Sequence, residues 1–118
     1  MDRQELLAAF KALSNDTRMD IVARLMGGRH CNCEIAEELD LSLSLVSHHL
    51  GILRQAGLVT AERDKSDARW IHYSLDPAGL QDLTETVCHL LNVEKLQQRH
   101  PTCLTSPTKS ALSKENDL

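Results

Sequence analysis

Aromatic residues are nearly absent. Phe10, Trp70 and Tyr73 are the only three in 118 residues, so any core must be aliphatic. No apolar run is longer than a few residues, which excludes a transmembrane helix. The acidic N-terminus, MDRQELLAAF, has no apolar stretch of the kind a secretory signal carries, and a cytoplasmic location with no membrane partner is expected. Positive charge is not in excess either: 13 Lys and Arg stand against 17 Asp and Glu, a net charge of −4. The chain is no bulk polycation, so binding to nucleic acid would need a local positive potential. Residues 42–75 are the least acidic part, at +1 with three histidines, against −3 for residues 1–41 and −2 for residues 76–118. There is no internal repeat. A Gly-rich phosphate loop is missing, and no motif brings together a nucleophile, a base and an orienting group, which argues against an enzyme.

What is present suits one globular domain: 42% apolar and 25% charged residues in a chain of ordinary domain length. Residues 5–13 read as a short helix, with Leu6, Leu7, Phe10 and Leu13 on one face. Ser14 or Asn15 can cap a second helix carrying Met19, Val22, Leu25 and Met26, which stops at Gly27-Gly28. A third, short helix follows Cys31 with Ile35, Ala36 and Leu39. Ser42 caps a fourth, with Leu43, Val46, Leu50 and Leu53 inward, ending at Gly57. Residues 58–63 and 70–75 alternate as strands around a polar turn. Asp76-Pro77 opens a last helix with Leu80, Leu83, Val87, Leu90 and Leu91 on one stripe. The predicted fold is mainly α with a small β-hairpin: a winged helix-turn-helix over residues 1–100. Residues 101–118, rich in Ser and Thr with two prolines, read as a mobile C-terminal tail.

Two short helices around a tight turn, the second ending in Gly, fit a helix-turn-helix. Beyond the capping Ser42, the exposed face of its second helix offers Ser44, Ser47, His48 and Arg54; near a helix N-terminus, hydroxyls, imidazoles and free N–H groups meet base edges and phosphates. Arg63, Lys65 and Arg69 on the hairpin can reach flanking phosphates or the minor groove. His49 could point inward instead, and whether it packs against the wing or meets DNA is left open.

The segment LSLSLVSHHLGILRQAGLV, the hairpin ERDKSDARWIHYSL and the opening FKALSNDTRMDIVARL together resemble the ArsR/SmtB family of metal-responsive bacterial repressors, over roughly residues 6–91. The resemblance implies a homodimer joined through its first and last helices, with two recognition helices in successive major grooves of a double-stranded operator. Many members carry Gln-Pro after the capping Ser, where this chain has Leu43-Ser44, so an operator sequence does not carry over.

Cys31-Asn32-Cys33 lies at the entry to the third helix, with Glu34 placed as in a capping box where Ser or Thr is expected at Cys31. Cys is a poor cap. At an extended helix start, alternate side chains share a side, so two thiolates can meet one soft ion, although the same residues can simply fill space. Family resemblance adds that the arsenic and cadmium/lead sensors carry Cys-Val-Cys here, matching Cys31 and Cys33. Some arsenic sensors place a further Cys where this chain has Ala36, and no cysteine precedes Cys31. Cys103 on the tail is then the candidate third ligand, with Cys88 read as an interface residue. Thiolates select soft ions: As(III) or Sb(III) for a three-coordinate site, or Cd(II), Pb(II) or Zn(II) with a fourth ligand such as His30, His100 or Cys88. Asp82, Glu85 and His89 do not match the spacing of the family's zinc sites.

The function that follows is derepression: the dimer blocks its operator until an ion draws the thiolates together and displaces the recognition helix. A thiol redox switch is the alternative, with Cys33–Cys103 the more plausible pair and Cys31–Cys33 poorly placed for a mutual disulfide. In a third reading, the cysteines are incidental.

Overall fold

The computed structural model describes residues 1–102. Five helices surround a three-stranded antiparallel sheet. In chain order they are α1 (Arg3–Leu13), α2 (Asp16–Leu25), β1 (His30–Cys31), α3 (Asn32–Leu39), α4 (Leu43–Gln55), β2 (Val59–Arg63), β3 (Ile71–Leu75) and α5 (Pro77–Leu90), with a final 3-10 turn at Val93–Lys95.

Each helix begins on a side-chain cap. Asp2 accepts from Glu5 N at 2.8 Å and Glu5 returns a bond to Asp2 N at 2.9 Å, so α1 starts two residues earlier than its apolar pattern indicates. Asn15 caps α2 through Arg18 N, and Ser42 caps α4 through Leu45 N. Asp76 caps α5, with Pro77 in its first turn. Helix α4 ends at Gly57, whose φ of 80° suits glycine. Gly79 on α5 packs directly on that turn: a Cβ there would overlap the Gly57 carbonyl oxygen. The last helix is therefore seated on the end of α4.

The core is aliphatic as expected. Ile21, Ile35, Val46, Leu50, Leu53 and Leu58 are fully buried, and Tyr73 is the one aromatic among the buried residues. Three expectations are corrected. First, the hairpin is not two-stranded: β1 pairs with β3 (His30 with Tyr73, Cys31 with His72), so β3 is the middle strand. A two-residue strand leaves no alternation to detect. Second, the apolar stripes of α1 and α2 are phased differently. On α1 the core side is Leu6, Ala9 and Ala12, while Leu7 and Phe10 are exposed; on α2 it is Ile21 and Leu25, while Met19 and Met26 are exposed. Small alanines allow α1 close approach, which leaves its large side chains outside. Third, α5 meets the core only through Leu80 and Leu83; Leu90 and Leu91 are exposed, as is Leu43 on α4.

Candidate nucleic-acid interface and thiol site

Helices α3 and α4 form the helix-turn-helix. Asp40, in the left-handed region at φ 54°, makes the turn between them. Val46, Leu50 and Leu53 anchor one side of α4 in the core, and this leaves Ser44, His48 and Arg54 exposed and Ser47 half-buried. Ser42 is occupied as the cap.

His49 points inward from α4. It is buried, and its Nδ1 lies 3.1 Å from Arg18 Nη1 of α2. A guanidinium only donates, so Nδ1 accepts and the proton sits on Nε2. Burial, then the Arg18 charge, then His48 push the His49 pKa down. Arg18 also donates from Nε to the Ala12 carbonyl at 2.6 Å and from Nη2 to the Lys11 carbonyl at 3.4 Å. One side chain thus ties the end of α1 to α4. Sequence reasoning missed Arg18; the "TR" of the opening motif was the available signal.

The wing is stiffened from within. Asp64 Oδ2 accepts from Ser66 N at 2.9 Å and from Asp67 N at 2.8 Å, while Oδ1 meets His72 Nε2 at 2.8 Å. These bonds, that of His72 foremost, hold the Asp64 carboxyl below the usual carboxylate range. Arg69 is bidentate on Asp67, with contacts of 3.0 and 2.7 Å, and its guanidinium lies 5.5 Å from the Trp70 ring centre. Arg63 donates to the Ala68 carbonyl oxygen. Of the three wing cations, Arg63 and Arg69 have internal partners and Lys65 stands exposed at the turn.

At the start of α3 the structure brings Cys31 and Cys33 together. Their Cα atoms are 5.3 Å apart and their sulfurs are joined as a disulfide, which corrects the expectation that the two are poorly placed for one. Cys31 is buried and Cys33 half-buried. Cys31 is indeed the N-cap: its Sγ accepts from Cys33 N at 3.4 Å, and Glu34 accepts from Cys31 N at 2.8 Å. The weak sulfur acceptor has help, because Asn32 Oδ1 takes the same Cys33 N–H at 3.0 Å. His30 is held between the Gly28 carbonyl (Nδ1, 2.8 Å) and Glu38 (Nε2, 3.4 Å).

Two adjacent sulfurs suit a soft ion as two of its donors. Among the described residues, no group of three His, Cys, Asp or Glu side chains is placed to hold a metal. Cys103 lies outside the described residues, and Cys88 is exposed on α5.

Comparison with known proteins agrees with this architecture. Residues 15–61 match the model of the family described as "Bacterial regulatory protein, arsR family". The chain is 37% identical over 83 residues to the transcriptional repressor SdpR of Bacillus subtilis (strain 168), a match spanning 70% of this chain and 89% of SdpR. It is 39% identical over 69 residues to the arsenical resistance operon repressor of Escherichia coli (strain K12), covering 58% of this chain and 56% of that protein. The crystal structure of an ArsR family transcriptional regulator superposes with a TM-score of 0.70 over 83% of this chain and 98% of the other, at 17% identity.

Proposed function

The chain belongs to the arsR family of bacterial regulatory proteins, and from that premise we propose that it is a homodimeric, operator-binding repressor released when As(III) or Sb(III) binds the Cys31 and Cys33 thiolates. It is a transcriptional regulator and not an enzyme. No described helix is long and apolar enough to cross a membrane, and the regulator acts on DNA in the cytoplasm.

The observation that carries this reading is the convergence of two sulfurs at the N-terminus of the helix that packs on α4. A thiophilic ion supplies a cross-link between the two thiolates. Cys31 and Cys33 hold it, with Cys103 the proposed third donor. Glu34, bonded to Cys31 N, fixes the first turn on which both thiolates stand. Cd(II), Pb(II) or Zn(II) would bind the same pair with a fourth ligand. The exposed face of α4, with Ser44, Ser47, His48 and Arg54, reads the operator, while Lys65, Arg63 and Arg69 meet its backbone. The partner surface lies on α1 and α5, where Leu7, Phe10 and Leu90 flank an open apolar groove of about 440 Å³. Covering these exposed apolar side chains with a second copy removes them from water.

The disulfide favours a second reading, a redox switch. Here the two thiols lose two electrons and two protons to a peroxide, which becomes two waters or an alcohol and water.

Fluorescence anisotropy of a selected operator duplex tests both. Arsenite is expected to release the reduced wild type and to leave the Cys31→Ser/Cys33→Ser variant bound. A coupling of about 1–3 kcal/mol is typical. Release by peroxide alone would favour the redox reading. An inducer response that survives loss of both cysteines would overturn both.

A further inference from the structure

Asn32 stands between the two cysteines with its side chain only 3% exposed. Its Oδ1 accepts two main-chain bonds, from Cys33 N at 3.0 Å and from Ile71 N at 3.3 Å. The second bond spans 39 residues to the first residue of β3, at the base of the wing. The reason lies in the register. His30 faces Tyr73 and Cys31 faces His72, so the next rung would place Asn32 opposite Ile71. At Asn32, however, the chain turns into α3. The side-chain carbonyl supplies the acceptor at that missing rung. The Val of the Cys-Val-Cys motif could not do this.

On the reading that the cysteine pair is the sensing site, we propose that Asn32 is a positioning residue that transmits the state of the Cys31–Cys33 pair to the wing. One oxygen serves an N–H of the sensing turn and an N–H of the wing strand. Two sulfurs bridged by an ion sit farther apart than two sulfurs in a bond and closer together than two free, non-bonded thiols. Closure on an ion therefore moves Cys33 against Cys31, the carboxamide follows the Cys33 N–H, and Ile71 loses or shifts its partner. The residue beside Ile71 is Trp70, the sole tryptophan of the chain, stacked under Arg69. His72, on the other side, holds Asp64 and with it the wing turn. The wing is thus wired to the sensor directly, without passing through α4.

Trp70 emission is a readout of this link that needs no DNA. The full-length protein is titrated with arsenite under reducing conditions and, separately, oxidised with diamide, following Trp70 emission, free thiols and operator anisotropy. Asn32→Val removes the acceptor. Asn32→Ser keeps a cap for Cys33 N–H but is too short to reach Ile71, which provides a second uncoupled variant if the valine variant folds poorly. Asn32→Asp keeps the acceptor. In the wild type, arsenite is expected to change Trp70 emission. In the Val and Ser variants arsenite still titrates both thiols, operator affinity without arsenite stays within about threefold of wild type, and the Trp70 response is lost. Their arsenite-induced loss of operator affinity shrinks by about tenfold, well within the span of allosteric couplings. Asn32→Asp restores both responses. The proposal is overturned if Val and Ser transmit like wild type, if Asp behaves like Val, or if wild-type Trp70 stays silent while arsenite releases the operator; in that last case the repressor reading stands. If Trp70 responds through Asn32 but the operator is never released, Asn32 stands and the repressor reading falls.

Discussion

The recognition helix and the wing present polar groups in opposite ways. Among the described residues, the side chains of Ser44, Ser47, His48 and Arg54 on α4 make no hydrogen bond or ion pair with other protein groups, while the opposite side of the helix is fixed by Val46, Leu50 and Leu53. On the wing, Arg63 and Arg69 are already bonded to Ala68 and Asp67, and two carboxylates organise the turn. Donors without internal partners on a rigid backbone can be given to base edges with little reorganisation. Donors already paired must first be exchanged. The proposed function therefore assigns specificity to α4 and shape with modest backbone attraction to the wing, and the proposed Asn32 link would adjust how well the whole domain fits.

The comparison breaks most severely if the buried side of α4 fails. Leu50→Ala removes a fully buried side chain, and a loss of about 2–5 kcal/mol of folding stability is expected. A chemical denaturation series checks it; a loss below about 1 kcal/mol would mean that α4 is not held by its core face.

Next come the exposed groups of α4. His48→Ala and Arg54→Ala are each expected to weaken operator binding by about 1–3 kcal/mol if they touch base edges, with relaxed sequence preference. A loss that is equal on all sequences, with a salt slope reduced by about one, would reassign the residue to phosphate. Wing Arg69→Ala should cost less than either. If it costs more, the proposed division of labour is reversed.

The wing is sharpened by releasing its arginine. Asp67→Asn removes the carboxylate that holds Arg69. Operator affinity is expected to rise a few-fold, with a steeper salt dependence as Arg69 becomes available for phosphate. Anisotropy at two salt concentrations reads this directly. A fall in affinity would show instead that Asp67 positions Arg69 for contact.

Much of this was legible in the sequence because it is local. Asn15, Ser42, Asp76-Pro77 and Gly57 mark helix ends by their own side-chain chemistry or backbone freedom, and the helix-turn-helix is bounded by them. The Cys31–Cys33 contact was legible as two side chains sharing a side at an extended helix start. What escaped depends on partners distant in the chain. Leu7, Phe10 and Leu90 look like core residues because an exposed apolar stripe has the same helical spacing as a buried one. Strand β1 exists only because β3 lies beside it. Arg18 and Asn32 are polar residues whose roles come from carbonyls, a histidine and an amide brought near by folding, and no periodicity announces them.

The smallest expected effect concerns how α4 is tied to the rest of the domain. His49 is buried against Arg18, and its pKa is pushed down from the ordinary 6.5 by burial and by that positive charge. As the pH falls below 6.5, the unfolded chain takes up a proton at His49 while the folded chain resists until lower pH. The unfolded state then binds more protons, so stability declines on acidification. The contribution is fully present above pH 6.5 and is lost as the pH falls through the folded-state value. His49→Asn keeps an acceptor near Nδ1 for Arg18 but cannot be protonated. Melting temperatures of the wild type and this variant, compared from neutral to mildly acidic pH, isolate His49 from the other histidines. The wild type should lose stability more steeply. Equal slopes would mean that the fold tolerates an imidazolium beside Arg18.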